Sequence, residues 1–217
     1  MKANRGRLIV FEGVDAAGKT TLSNELCVLL RHNYQSVRHC QFPGRQQGTL
    51  GELVYRLHHF HSSTFGVPKI APCSLQLLHI AAHVDAIELE IKPALQDGEW
   101  VVLDRFWWST YVYGLDDGVS ESQLQLMIDI EKNAWGSIRP DIVFLVDSAI
   151  PLRDDEANSI AWQRKRQTYN RLAVSEENIQ KCLVLETGKG DNAKHRAMSK
   201  IQEAICALSE GSKGEKK

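Results

Sequence analysis

Apolar residues recur along this chain in two rhythms. Short, nearly unbroken runs at 8–12, 100–103, 142–146 and 182–185 have the length of buried strands, and 37–41 fits a weaker one containing His39 and Cys40. Between them, apolar residues return every three or four positions, the spacing of one helix face. Leu22, Leu26, Leu29 and Leu30 mark a helix over 19–32, and Leu50, Leu53, Val54 and Leu57 mark one over 50–61. Leu75, Leu78, Ala82, Ile87, Leu89 and Ile91 mark a long helix over 74–91, which Pro93 bends or interrupts. Further helices are expected over 120–135, 158–173 and 194–208, with loop over 62–72 and a charged tail over 211–217. Strands alternating with helices predict one α/β domain over 1–217: three layers, α/β/α, around a central parallel sheet of about five strands.

The first strand runs into Gly13-Val14-Asp15-Ala16-Ala17-Gly18-Lys19-Thr20-Thr21, and a helix follows at once. Four residues separate Gly13 from Gly18, and Lys-Thr comes next, which is the phosphate-loop spacing and places the chain in the P-loop NTPase fold. Loop amides and the first helical turn provide N–H groups for phosphate oxygens, Lys19 reaches the outer phosphates, and Thr20 reaches a magnesium ion.

Ligands of parallel sheets sit beyond the carboxyl ends of the strands. There the chain carries Phe42-Pro43-Gly44-Arg45, Asp104-Arg105 and Asp147. A nucleoside triphosphate alone does not need all of these loops, whereas a second phosphorylated substrate does. Asp104 is read either as holding magnesium through water or as orienting the phosphate-gripping Arg105. Asp15 is read as touching the acceptor side or the metal, or as capping its own loop.

Composition narrows the class. A formal charge of −1 gives no electrostatic footprint for nucleic acid. Five scattered cysteines lack metal-ligand spacing and read as structural thiols of a reducing compartment. No apolar run approaches the ~20 residues of a membrane span, and no signal peptide is seen, so the expectation is a soluble, cytoplasmic protein without membrane or nucleic-acid partners. His58, His59 and His61 suggest metal by type, but no carboxylate stands with them, and solvated or capping roles are expected.

With these residues assembled, the chain resembles the thymidylate kinases of the nucleoside monophosphate kinase class. The likeness runs from Phe11-Glu12 through the phosphate loop to Thr21, and then through 42–45, Gly48-Thr49-Leu50-Gly51-Glu52 and Ile91-Lys92-Pro93-Ala94-Leu95 with Gly98. It continues at 102–106 with Ser109 and Tyr113, and ends with Pro140-Asp141 leading to Val146-Asp147. The resemblance implies ATP and Mg2+ at Gly13, Ala16, Ala17, Gly18, Lys19, Thr20 and Thr21, with Thr20 and Asp104 on the metal side. It implies a nucleoside monophosphate against Asp15, Phe42, Pro43, Arg45, Arg105, Ser109 and Tyr113, Arg45 gripping its phosphate and Phe42 and Tyr113 walling the nucleoside. It also implies a homodimer, for which the breadth of apolar surface on the 74–91 helix is a second sign.

Three departures surround the base pocket. His79 stands where the family has a stacking phenylalanine, His83 where it has a base-reading arginine, and Gly114 where many members have an amide. A neutral imidazole at position 83 offers one donor and one acceptor, so relaxed discrimination against a 4-amino group is expected. The lid over about 148–162 is short and acidic, leaving Arg153, Arg164 or Arg166 to neutralise the transferring group, or else the 158–173 helix is merely basic on its solvent side. Three readings follow: a kinase of thymidylate, a kinase of another or modified pyrimidine nucleotide, and a nucleotide-binding module without turnover.

Overall fold

The structure, a computed structural model, describes residues 5–33, 36–153 and 160–211. Five strands, β1 (Leu8–Glu12), β2 (Val37–Gln41), β3 (Trp100–Asp104), β4 (Ile142–Ser148) and β5 (Cys182–Thr187), pair in parallel in the order β2-β3-β1-β4-β5. The central strands β1 and β3 are buried throughout, hence their continuous apolar runs. The edge strands β2 and β5 are half-exposed, and their sequence signal is correspondingly weaker.

Register brings the functional ends together: Phe11 pairs with Asp104 and Glu12 with Leu145, so the carboxyl ends of β1, β3 and β4 share one rim. Gly13 leaves β1 at that rim with φ +139°, and a Cβ there would stand 2.3 Å from the Val146 carbonyl oxygen. Both conditions demand glycine.

Helices α1 (Lys19–His32) and α8 (Asp191–Gly211) pack together as one layer. The other layer holds α3 (Pro72–Ala86), α4 (Lys92–Gln96), α5 (Trp107–Asp116), α6 (Glu121–Trp135) and α7 (Ile160–Glu176), with α2 (Leu50–Phe65) lying on α3. All five cysteines are free thiols. No helix among the described residues is long and apolar enough to cross a membrane.

Several elements differ from the sequence reading. The loop expected over 62–72 gives up its first turn to α2, which runs to Phe65 across a kink at Phe60 and closes on Gly66 in the left-handed region. The 74–91 helix ends as α-helix at Ala86 and continues as a π-helical segment, Ile87–Ile91, into α4. Pro93 lacks an N–H and crowds the carbonyl four residues back, and the wider turn upstream absorbs that mismatch. Asp147 lies within β4 rather than after it, and α8 begins three residues before the expected 194.

The largest difference is α5, which the sequence reading did not anticipate. Its aromatic and β-branched residues have poor helix propensity, and Phe106 provides no side-chain cap. The cap comes from β1 instead: Glu12 Oε1 accepts from the amides of Phe106 at 2.7 Å and Ser109 at 3.0 Å. The proposed tail, beyond 211, and residues 154–159 of the lid lie outside the described residues.

Candidate active site

The phosphate loop is gripped by its carbonyls. The Leu152 amide donates to Ala16 O at 2.8 Å, the Thr187 hydroxyl to Ala17 O at 2.8 Å, and the Trp162 indole to Asp15 O at 2.7 Å. Ala16 and Gly18 take positive φ, 60° and 102°, which folds the chain into a cradle ahead of α1. The Lys19 ammonium is buried and donates to Val14 O at 2.9 Å. Burial first, and then the Arg105 guanidinium, pull its pKa down, while Asp104, Asp15 and Glu12 oppose that shift. Its neighbour Glu12 is raised, again by burial.

Thr20 Oγ1 donates to Asp104 Oδ2 at 2.6 Å. Asp104 is 1% exposed, and its other oxygen has no hydrogen-bond partner among the described residues. A buried, orphaned carboxylate oxygen beside a hydroxyl is an oxygen donor set of the kind a hard divalent cation takes, so Thr20 and Asp104 fit magnesium. No group of three or more His, Cys, Asp or Glu among the described residues forms another metal cluster. His59 and His61 are instead bonded to the carbonyls of Tyr55 and Val67.

Two cavities adjoin the loop, each of about 310 Å³. The first lies beside Ala17, Gly18 and Thr21 and reaches the 187–190 turn and Lys194. The 187–190 turn was missed in the sequence, although it follows β5 as the other site loops follow their strands. The second cavity brings together Asp15, Phe42, Pro43, Arg45, His79, His83, Arg105, Ser109 and Tyr113. These are the seven residues that the resemblance implies for the acceptor, together with the two histidines that depart from it.

Within the second cavity, Arg105 sits at φ +78°, a costly backbone for a side chain with a Cβ. Its amide bonds Phe11 O, its guanidinium pairs with Asp15 and donates to Ser109 Oγ, and it lies over the Tyr113 ring. Ser109 passes the network on to Glu12 and Tyr169. Tyr113 donates to Asp15 Oδ2 at 2.6 Å. Burial works to raise the Asp15 carboxyl, but Arg105 and Lys19 outweigh it and hold the group below the usual carboxylate range. Arg45 is exposed and stacks over Tyr55, 4.5 Å from the ring centre.

The two histidines differ in condition. His79 is bonded to His58 across the α2–α3 seam at 3.1 Å, and burial pushes its pKa down to about 3. His83 is 3% exposed and stacks on Phe42 at 4.1 Å. Its Nδ1 bonds Glu131 Oε2 at 2.8 Å, so one of its two hydrogen-bonding positions is already committed. Glu131, deep on α6, left no signal in the sequence beyond its place on a helix.

Gly114 is buried in α5 against Leu124 and Gln76 and does not line the cavity. The cavity also contains Gln76, Thr110 and Asp117, none of which the sequence reading named.

Two of the three arginines named for the lid are paired with carboxylates. Arg164 pairs with Asp116, and Arg166 forms a two-point pair with Asp147 at 2.5 and 2.8 Å. Arg153 is exposed beside the 154–159 segment. Lys165, between the two arginines, shares Asp116 with Arg164, its ammonium 3.4 Å from Asp116 Oδ2, and also lies over the Tyr113 ring at 5.0 Å. Its place in a basic run hid it.

A parallel sheet with a phosphate loop after its first strand, a buried Asp at the end of a neighbouring strand, and a second polar cavity facing the loop define a P-loop phosphotransferase of the nucleotide kinase class. The thymidylate kinase family model matches residues 11–185. A thymidylate kinase of Nitrobacter winogradskyi is 33% identical over 202 residues, 85% of this chain and 82% of that one. One of Bartonella henselae is 35% identical, over 81% of this chain and 77% of its own. The crystal structure of thymidylate kinase from Ehrlichia chaffeensis superposes with a TM-score of 0.71 at 26% identity, covering 91% of this chain and 98% of that one. The chain belongs to the thymidylate kinase family.

Proposed function

We propose that this kinase transfers the γ-phosphoryl group of ATP to a pyrimidine deoxynucleoside 5'-monophosphate, with thymidylate (dTMP) the leading acceptor. The observation that carries the reading is the pair of cavities on the two sides of one phosphate loop, Ala17 and Gly18 lining the first and Asp15 and Arg105 the second. ATP occupies the first, its outer phosphates against the loop amides and Lys19. The acceptor occupies the second, its phosphate between Arg45 and Arg105 and its base toward Phe42 and α3. The attacking phosphate oxygen is already ionised, so no general base is required. Positioning and charge neutralisation carry the step. Magnesium, held from the side of Thr20 and Asp104, would neutralise phosphate charge when bound. Lys165, over the Tyr113 ring, joins Arg105 in neutralising the acceptor side. Release of ADP from ATP and Mg2+, dependent on an added monophosphate, tests the proposal. A purine monophosphate as the sole efficient acceptor would overturn it. His83 in place of a guanidinium keeps a second reading in view, a kinase of another or modified pyrimidine, which the same panel with 5-substituted deoxyuridylates decides.

A further inference from the structure

The base end of the acceptor cavity contains a buried acid–imidazole pair that the reaction itself does not use. Glu131, on α6, is 0% exposed, and His83, on α3, is 3% exposed. Both carboxylate oxygens of Glu131 are engaged: Oε2 meets His83 Nδ1 at 2.8 Å, and Oε1 accepts from the Trp135 indole at 3.4 Å. The imidazole is held flat against Phe42, with the ring planes 11° apart. Carboxylate and stacking together fix the ring, with Nδ1 toward the acid and Nε2 away from it. His83 Nε2 has no hydrogen-bond partner among the described residues, yet it is not one of their fully enclosed unpartnered atoms, and His83 lines the cavity. Nε2 is therefore the atom that this pair turns to a ligand.

Burial decides what Nε2 offers. Of the groups bonded to Glu131, the indole is neutral, so His83 alone can balance the charge of the carboxylate. His79, four residues back on α3, is kept uncharged by burial, and Arg105, which lines the same cavity, is paired with Asp15. A carboxylate sealed from water without a compensating charge is costly. Two proton arrangements make the pair neutral: a carboxylate with an imidazolium, or a carboxylic acid donating to Nδ1 of an uncharged ring. In both of them Nε2 carries a hydrogen. Only an ionised Glu131 against an uncharged ring with its proton on Nδ1 leaves Nε2 bare, and that arrangement buries a net negative charge.

We propose that Glu131 is a positioning residue: it keeps a proton on His83 Nε2, which makes the base end of the cavity a hydrogen-bond donor and selects a 4-oxo over a 4-amino pyrimidine. The proposal rests on the reading of this cavity as the acceptor site. The C4 carbonyl of thymine or uracil accepts from Nε2–H. The 4-amino group of cytosine brings a second N–H to the same point, donor against donor. Accepting from it requires the bare Nε2 and with it the uncompensated carboxylate. Glu131 thus restores the discrimination that a free imidazole, able to present either tautomer, would relax.

Titration calorimetry with dTMP, dUMP and dCMP, on the wild-type chain and on Glu131→Gln, tests this without requiring turnover. The wild type is expected to bind dTMP and dUMP at least about 30-fold more tightly than dCMP, the scale on which a buried donor left facing another donor is penalised. In Glu131→Gln the amide can donate to Nδ1 or accept from it, and both arrangements are uncharged, so the ring is free to present a donor or an acceptor. Affinity for dCMP should therefore rise about tenfold or more, with dTMP within about threefold of the wild type. A gain of that kind is not what local damage to the fold produces. An unchanged dTMP-to-dCMP ratio in folded Glu131→Gln would overturn the proposal. Nitrogen NMR of the isotope-labelled wild-type chain, with the His83 ring assigned through its own bonds, needs no variant. Nε2 should be protonated at neutral pH with dTMP bound, and a bare Nε2 would overturn the proposal. Equal binding of dTMP and dCMP by the wild type would do the same and leave the acceptor reading in place. Failure of the wild type to bind any pyrimidine monophosphate would overturn the acceptor reading and this proposal with it.

Discussion

Lys19 illustrates how single residues of this site are held between burial and charge. Its ammonium rests on the Val14 carbonyl inside the loop, and burial with Arg105 nearby weakens its hold on the proton. Lys19→Ala removes a donor from the transferring phosphates, and kcat is expected to fall by at least about 100-fold. Thermal unfolding should be little changed, because losing the bond to Val14 O is offset by no longer burying a charge. Full turnover by the folded variant would displace the donor site. Arg45 is the opposite case, exposed and stacked over Tyr55. Arg45→Ala should raise KM for the monophosphate about tenfold or more through loss of a charge-assisted pair, with KM for ATP within about twofold. Steady-state kinetics with each substrate varied in turn would read both effects, and the reverse pattern would exchange the two sites. Arg164 and Arg166 are each paired with a carboxylate, on α5 and β4, that no local pattern in the sequence joins to them.

Among the elements, α5 depends most on its surroundings. Glu12 satisfies the N-terminal amides of α5 from the next layer and bonds Ser109 Oγ at 2.8 Å. Glu12→Ala leaves those buried amides unpaired and opens a cavity at the rim, a loss of at least about 2 kcal/mol. Urea unfolding measures it, and acceptor binding should weaken as well, because Ser109 and Tyr113 ride on α5. The α2–α3 seam carries a pH dependence of definite sign. His79 is held at a pKa of about 3, against 6.5 for a free imidazole, and His58 across from it is also lowered. The unfolded chain therefore binds protons that the native chain refuses. The contribution is fully present above about 6.5 and is lost as pH falls from there toward 3. Melting temperature should decline over that window, and His79→Asn should flatten the decline. An unaltered profile in the variant would remove the seam as its source.

At the scale of the molecule, the sheet order puts β1 at the centre with β3 and β4 beside it, so the phosphate loop emerges between the two cavities. The outer surface of the same layer is less finished. Leu53 and Phe60 on α2, Leu77 and Leu89 on α3 and its π-helical continuation, and Leu126 and Ile130 on α6 are each more than two-fifths exposed. Adjoining elements with that much uncovered apolar surface suit a second copy of the chain. Light scattering at micromolar concentration is expected to give twice the chain mass, and Leu77→Glu with Leu126→Glu should give a monomer. A wild-type monomer would remove the dimer and leave the kinase assignment in place.

The sequence by itself determined what depends on neighbours along the chain. The strand–loop–helix at 8–32 is local chemistry, spacing and glycine, and the short, continuous apolar runs of β1, β3 and β4 read as strands of a buried parallel sheet. The strand-end rule then puts 42–45, Asp104 and Arg105 on one rim. What the sequence could not hold were pairings between residues far apart in it. Glu12 caps α5 across 94 and 97 positions, Glu131 takes Nδ1 of His83 across 48, and Asp116 takes Arg164 across 48. Each of these bonds stabilises only after the chain has folded, because neither partner carries a local pattern that anticipates the other. Local periodicity identified the elements and the loop. Tertiary packing decided which arginines pair with carboxylates, that α5 forms despite its poor helix propensity, and which side chains line each cavity.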